Sequence, residues 1–124
     1  MTSSGWLAIG AVAAGVGVGL GAFGAHGLKS RIEPQTLAVF ETGVRYQLYH
    51  ALALLAVAWV TSRSTSALPG AAGWAFLVGI LLFSGSLYLL VFTGTKWLGA
   101  ITPLGGVAFL LGWGLLAASA FARN

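Results

Sequence analysis

The sequence predicts an all-α integral membrane protein: four transmembrane helices in an up-down bundle, forming one domain over residues 1–124. Three observations support that fold class. Hydrophobic residues make up 58% of the chain and charged residues 6%, with a mean hydropathy of +0.93. A soluble domain gives about a quarter of its residues to charge, so this chain lacks the polar groups to cover a water-facing surface. Four apolar segments recur, and a helix of roughly 20 apolar residues crosses a hydrocarbon layer of about 30 Å. Between the segments sit proline, glycine and charge, the residues that punctuate helices.

The first span is expected at residues 5–26. It is uncharged from Gly5 to Ala25. Its start, MTSSGWLAIG, lacks the positive region of a cleaved signal, and the apolar run is too long for one, so the span is expected to be retained. Gly15 and Gly19 form one G-x-x-x-G pair, Gly17 and Gly21 a second, and Gly24 continues the face. Lipid gives helices little hydrophobic reason to associate, so close backbone approach must supply the contact. These five glycines therefore predict that span one is central in the bundle or forms an oligomer seam. Gly27 suits a left-handed C-cap at its end.

The second span is expected at 35–62. Pro34 fits the first helical position, whose N–H has no helical partner. From Pro34 to Thr61 the helix would run about 42 Å at 1.5 Å per residue, more than a membrane requires. Its amphipathic start, PQTLAVFETGV, is read as interfacial, with the true span beginning near Gly43, a candidate kink. The third span, at 69–93, starts from the Ser66–Pro69 turn and ends at Gly94, another C-cap candidate. The fourth, at 102–121, opens with Thr102 as N-cap before Pro103, and Gly105, Gly106, Gly112 and Gly114 thin it.

Six cations against two acids give a formal charge of +4. They form no basic stripe, which argues against nucleic acid as a partner. They do set an orientation. Lys29, Arg31, Arg45 and Lys96 lie toward one side, Arg63 and Arg123 toward the other. Because cations favour the cytoplasm, both termini are expected outside the cytoplasm of a bacterial inner membrane. Trp6, Trp59 and Trp74 then fall near the outer interface, and Tyr46, Tyr49, Tyr88 and Trp97 near the inner one. Trp113 lies deeper and is read as packing. The absence of cysteine excludes disulfides and thiolate metal sites.

In this topology the polar residues collect in the cytoplasmic leaflet. His26 ends span one. Glu41, Arg45, Tyr46, Gln47 and His50 begin span two. Ser84, Ser86 and Tyr88 lie late in span three, and Thr102 opens span four. Glu41 and Arg45 stand one helical turn apart in the favourable order. Read as a site, the cluster is a small pocket that binds or passes an anion, an ion or a lipid head group, with Arg45 as anion holder and His26 or His50 as titratable donor. Read as structure, Arg45 is held by Glu41 or reaches lipid phosphate, His50 bonds a backbone carbonyl, and the serines bond carbonyls of their own helix. The chain is then an accessory subunit of a larger membrane complex. Two histidines with Glu41 as the only nearby acid make a poor metal site, and the chain lacks the further anchors a haem needs. No cofactor is expected. No carboxylate pair or serine–histidine–acid motif suggests an enzyme. Membrane lipids are the expected partners, with a second copy or another membrane protein as further candidates.

The stretches GAFGAHGLK, FETGVRYQLYHALALL, FSGSLYLL and ITPLGGVAFLLGW, in this order and spacing, resemble the domain of unknown function 423 family of small bacterial membrane proteins, whose eukaryotic relatives are called transmembrane protein 256. The four motifs cover nearly the whole chain. The resemblance implies a four-helix inner-membrane protein of about this length and implies no activity.

Overall fold

The computed structural model describes residues 1–122 as helices joined by short turns. Helix α1 (Ser3–Phe23) is capped by Thr2, whose Oγ1 accepts the Gly5 N–H at 3.1 Å. It continues without a break into a π-helical turn, Gly24–Leu28. Helix α2 (Pro34–Thr61) starts with its proline in the first turn. Helix α3 (Leu68–Gly79) passes through a second π turn, Ile80–Ser84, into α4 (Gly85–Thr93), so that one rod runs from Leu68 to Thr93. A short 3₁₀ segment, Lys96–Ala100, precedes α5 (Thr102–Phe121). Gly94 closes α4 in the left-handed conformation, φ 68°, where a side chain would be strained.

Three of these helical segments are long and apolar enough to cross a membrane: Ser3–Leu28, Leu68–Thr93 and Lys96–Phe121. Helix α2 falls short of that standard despite its 28 residues. Its Arg45, Gln47 and His50 lower its hydropathy, although Gln47 and His50 are buried against the other helices.

Helix α2 packs against α1 and against the α3–α4 rod, while α5 packs against α3 and the second π turn. The contacts that close the core divide into two groups. Toward the chain termini, Trp6, Leu54, Val57, Ala72, Phe76 and Phe109 form the larger cluster. Toward the opposite end, Leu28, Phe40 and Val44 form a smaller one, with Tyr88 packed against it.

Several expectations change. Helix α1 sits at the edge of the bundle, not at its centre. A Cβ on Gly17 would lie 2.8 Å from Leu48, on Gly21 3.3 Å from Val44 and on Gly24 3.0 Å from Phe40, so these three seat α1 on α2. Gly15 and Gly19 have open space instead and contribute no packing within the chain. Two residues along a helix turn by about 200°, so the two overlapping glycine pairs face opposite ways. Gly27 is no left-handed cap, because Gly94 is the one glycine with positive φ among the described residues. Gly43 is a seat, not a kink: α2 runs through it unbroken, and a Cβ there would lie 2.8 Å from the Tyr88 ring. Thr102 lies inside α5, and the N-cap is Ile101. Trp6 is fully buried, not interfacial, with Trp74 edge-on to it at 5.3 Å. Trp59, Trp74 and Trp97 are exposed. Arg123 lies outside the described residues.

Candidate functional site

The polar residues expected to cluster resolve into two sets. One set is consumed in holding helices together. Gln47 donates from Nε2 to the Ala13 carbonyl of α1 at 2.8 Å, and its Oε1 accepts the Tyr88 hydroxyl of α4 at 2.7 Å. Ser84 donates to the Gly43 carbonyl of α2 at 2.6 Å. Ser86 and Thr102 share a hydrogen bond of 2.6 Å between α4 and α5, and Ser86 also donates to the Phe83 carbonyl of its own helix. In lipid a polar group has no water to fall back on, so such bonds form wherever geometry permits.

The second set faces outward. Glu41, Arg45 and His26 are exposed and stand outside this network. His26 does not meet the other histidine. Gly24, two residues before it, packs on Phe40, and His50 lies ten residues farther along α2, about 15 Å at 1.5 Å per residue. His26 and His50, the alternative donors expected beside Arg45, therefore lie at different levels of the bundle.

His50 has a different role. Its Nε2 is 3.1 Å from Trp113 Nε1 of α5, and its Nδ1 is 2.7 Å from the Tyr46 carbonyl. An indole N–H can only donate. Nε2 must therefore accept, and Nδ1 carries the proton and donates to Tyr46. Both ring nitrogens are thus committed, in the neutral Nδ1–H tautomer. The imidazole also lies face to face with Phe109, the centroids 3.5 Å apart and the planes 8° from parallel. The sequence reading placed Trp113 in packing. It is also the donor to His50, a pairing 63 residues apart with no local sign.

These contacts build the wall of a groove. Helices α2 and α5 flank the α3–α4 rod, and between them opens a space of about 520 Å³. Tyr46, Tyr49 and His50 line it from α2, Phe83 from the π turn, and Gly106, Phe109, Leu110 and Trp113 from α5. Six of the eight carry rings. Tyr46 lies 4.6 Å from Phe83, and its plane is 15° from that of His50 and 23° from that of Phe109. The Tyr46 and Tyr49 rings meet edge-on at 5.7 Å. Their hydroxyls have no partner among the described residues. Arg45 stands one turn before Tyr49 on α2. Among the described residues, no three of His, Asp and Glu gather as a metal site would need.

The fold and this groove define a small helical membrane protein. Residues 20–106 match the family described as protein of unknown function DUF423, and the chain belongs to that family. A UPF0382 membrane protein of Staphylococcus aureus is 49% identical over 116 residues, 94% of each chain. The UPF0382 membrane protein YwdK of Bacillus subtilis is 49% identical over 116 residues, 93% of this chain and 94% of its own. A UPF0382 membrane protein of Staphylococcus epidermidis is 45% identical over 108 residues, 87% of this chain and 88% of its own. No solved structure matches the chain.

Proposed function

We propose that this protein is a non-enzymatic binding protein of the bacterial inner membrane, crossing it four times with both termini outside, and that its ligand is a lipid-soluble molecule held in the α2–α5 groove. The observation behind this reading is the groove itself: ringed walls, two phenol hydroxyls without partners among the described residues, and a volume of about 520 Å³ within the range of roughly 300–1,000 Å³ typical of small-molecule sites. Arg45, exposed beside the groove, binds a lipid head-group phosphate and fixes the depth of α2. This relocates the anion role expected of the polar cluster. The buried members are occupied within the bundle, and of the outward-facing members Arg45 is the one beside the groove that carries a fixed positive charge for an anion.

Gly106 provides the test. It lines the groove, and a Cβ there meets no atom within 4 Å. Gly106→Leu therefore starts a side chain into the groove from an unobstructed Cβ position. Gly114, on the same helix, is equally open and does not line the groove, so Gly114→Leu is the control. Lipid-soluble molecules extracted from the purified proteins would be compared by mass spectrometry. A species retained by wild type and Gly114→Leu and lost from Gly106→Leu is expected; equal retention by all three excludes the groove.

A second reading, an accessory subunit of a larger complex, draws on Gly15 and Gly19, whose open face on α1 suits close approach by another helix.

A further inference from the structure

Resting on the groove reading, we infer that the ligand is a flat, neutral ring bearing carbonyl acceptors and an apolar tail, a quinone-like molecule and not a simple acyl chain. Three features of the lining converge on this class. The first is shape. The Tyr46, His50 and Phe109 planes lie within 23° of one another, with His50 and Phe109 buried against each other, so the rings this wall exposes to a ligand are those of Tyr46, Tyr49 and Trp113. A flat ring gains stacking contact there that a flexible chain cannot match, because aromatic pairs favour offset-parallel faces with centroids roughly 4.5–7 Å apart.

The second is hydrogen-bonding sign. His50 and Trp113 satisfy each other, so neither offers a free N–H or lone pair to a ligand. What remains are the hydroxyls of Tyr46 and Tyr49, both of which can donate. A ligand with acceptors but no obligatory donors fits that supply, and a carbonyl is such an acceptor. The third is charge. Among the described residues, no Asp, Glu, Lys or Arg lines the groove, and an uncompensated charge within the membrane is costly. The ring must therefore be neutral. Gly106 adds no side chain to the α5 side of the groove, and the space where its Cβ would lie is open.

The probe is a 1,4-benzoquinone carrying a decyl tail, which quenches tryptophan fluorescence on contact. Trp113 lines the groove and reports it. Purified protein in lipid nanodiscs would be titrated with this quinone, and in parallel with a brominated decyl alcohol of similar tail and no ring. Saturable quenching by the quinone is expected in wild type and Gly114→Leu. Half-saturation should rise by about tenfold or more in Gly106→Leu, where a side chain takes the ligand's volume. Tyr46→Phe and Tyr49→Phe should each weaken binding by roughly two- to tenfold, the worth of one hydrogen bond. The brominated alcohol should give only unsaturable, variant-independent quenching. If the alcohol saturates with the same Gly106→Leu sensitivity and the quinone does not, the groove holds a chain, and the ring class is wrong while the groove reading stands. If neither probe distinguishes Gly106→Leu from Gly114→Leu, both readings fail.

Discussion

Gly105 and Gly106 are adjacent in sequence and face different surroundings. A Cβ on Gly105 would collide with the backbone of Phe83, its Cα only 2.7 Å away, whereas one on Gly106 meets nothing. Backbone cannot rotate aside as a side chain can. Gly105→Ala is therefore expected to destabilise the protein by about 1–3 kcal/mol through overpacking. Gly106→Ala should be neutral or slightly stabilising, since alanine favours helix over glycine by up to about 1 kcal/mol. Denaturation of each variant in mixed micelles checks both, and equal midpoints would refute the packing of α5 on the π turn. The sequence announces four glycines in span four, but which of them is filled depends on the azimuth of α5, which no local pattern encodes. The polar cluster is similar. Its position in one half of the bundle follows from topology and residue order. Its pairings, Gln47 with Tyr88 or His50 with Trp113, depend on how each helix is turned. His26, expected to join them, belongs to the same half but not to the same face or level.

At the scale of elements, helix identity is the most legible feature, because long apolar runs bounded by Pro34, Pro69, Pro103 and Gly94 leave little choice. The π turns at Gly24–Leu28 and Ile80–Ser84 are not legible. Each is a one-residue change of hydrogen-bond register with no compositional sign. The second matters most, since it brings Phe83 to the groove and Ser84 to the Gly43 carbonyl. The edge position of α1 was hidden because its glycines occupy two faces. What ties α1, α2 and α4 is Gln47, bonded at both ends of its amide. Gln47→Leu leaves the Tyr88 hydroxyl and the Ala13 carbonyl without that partner, and Tyr88→Phe leaves Oε1 without its donor. Each should cost about 0.6–1.7 kcal/mol, the range of interhelical hydrogen bonds in membranes. The double variant should cost less than the sum, because both singles break one shared bond. Strict additivity would show that the two side chains do not interact.

For the whole molecule, the open question is direction in the membrane, and the distribution of charge addresses it. The helices alternate, so the turn at 62–67 lies at the same end as the chain start, and the turns at 29–33 and 94–101 lie at the other. The latter end carries Lys29, Arg31 and Lys96, all exposed, with Arg45 farther along α2. The former shows Arg63, which lies 4.9 Å over the Trp59 ring in a cation–π contact that holds it at the interface. Cations are retained on the cytoplasmic side, and a four-to-two excess, with Arg123 counted from the sequence, predicts that the 29–33 and 94–101 turns lie inside. The chain has no cysteine, so single cysteines report without background. In intact cells, an impermeant thiol reagent should label Ser64→Cys and leave Ser30→Cys unlabelled until the membrane is opened. The same pair tests whether α2 crosses. Its hydropathy falls short because of Arg45 and because Gln47 and His50, though buried, count as polar. If α2 only lay along the surface, Ser30 and Ser64 would be on one side and would label together. Labelling of Ser30→Cys alone would reverse the orientation, and with it move Arg45 and its proposed phosphate contact to the outer leaflet.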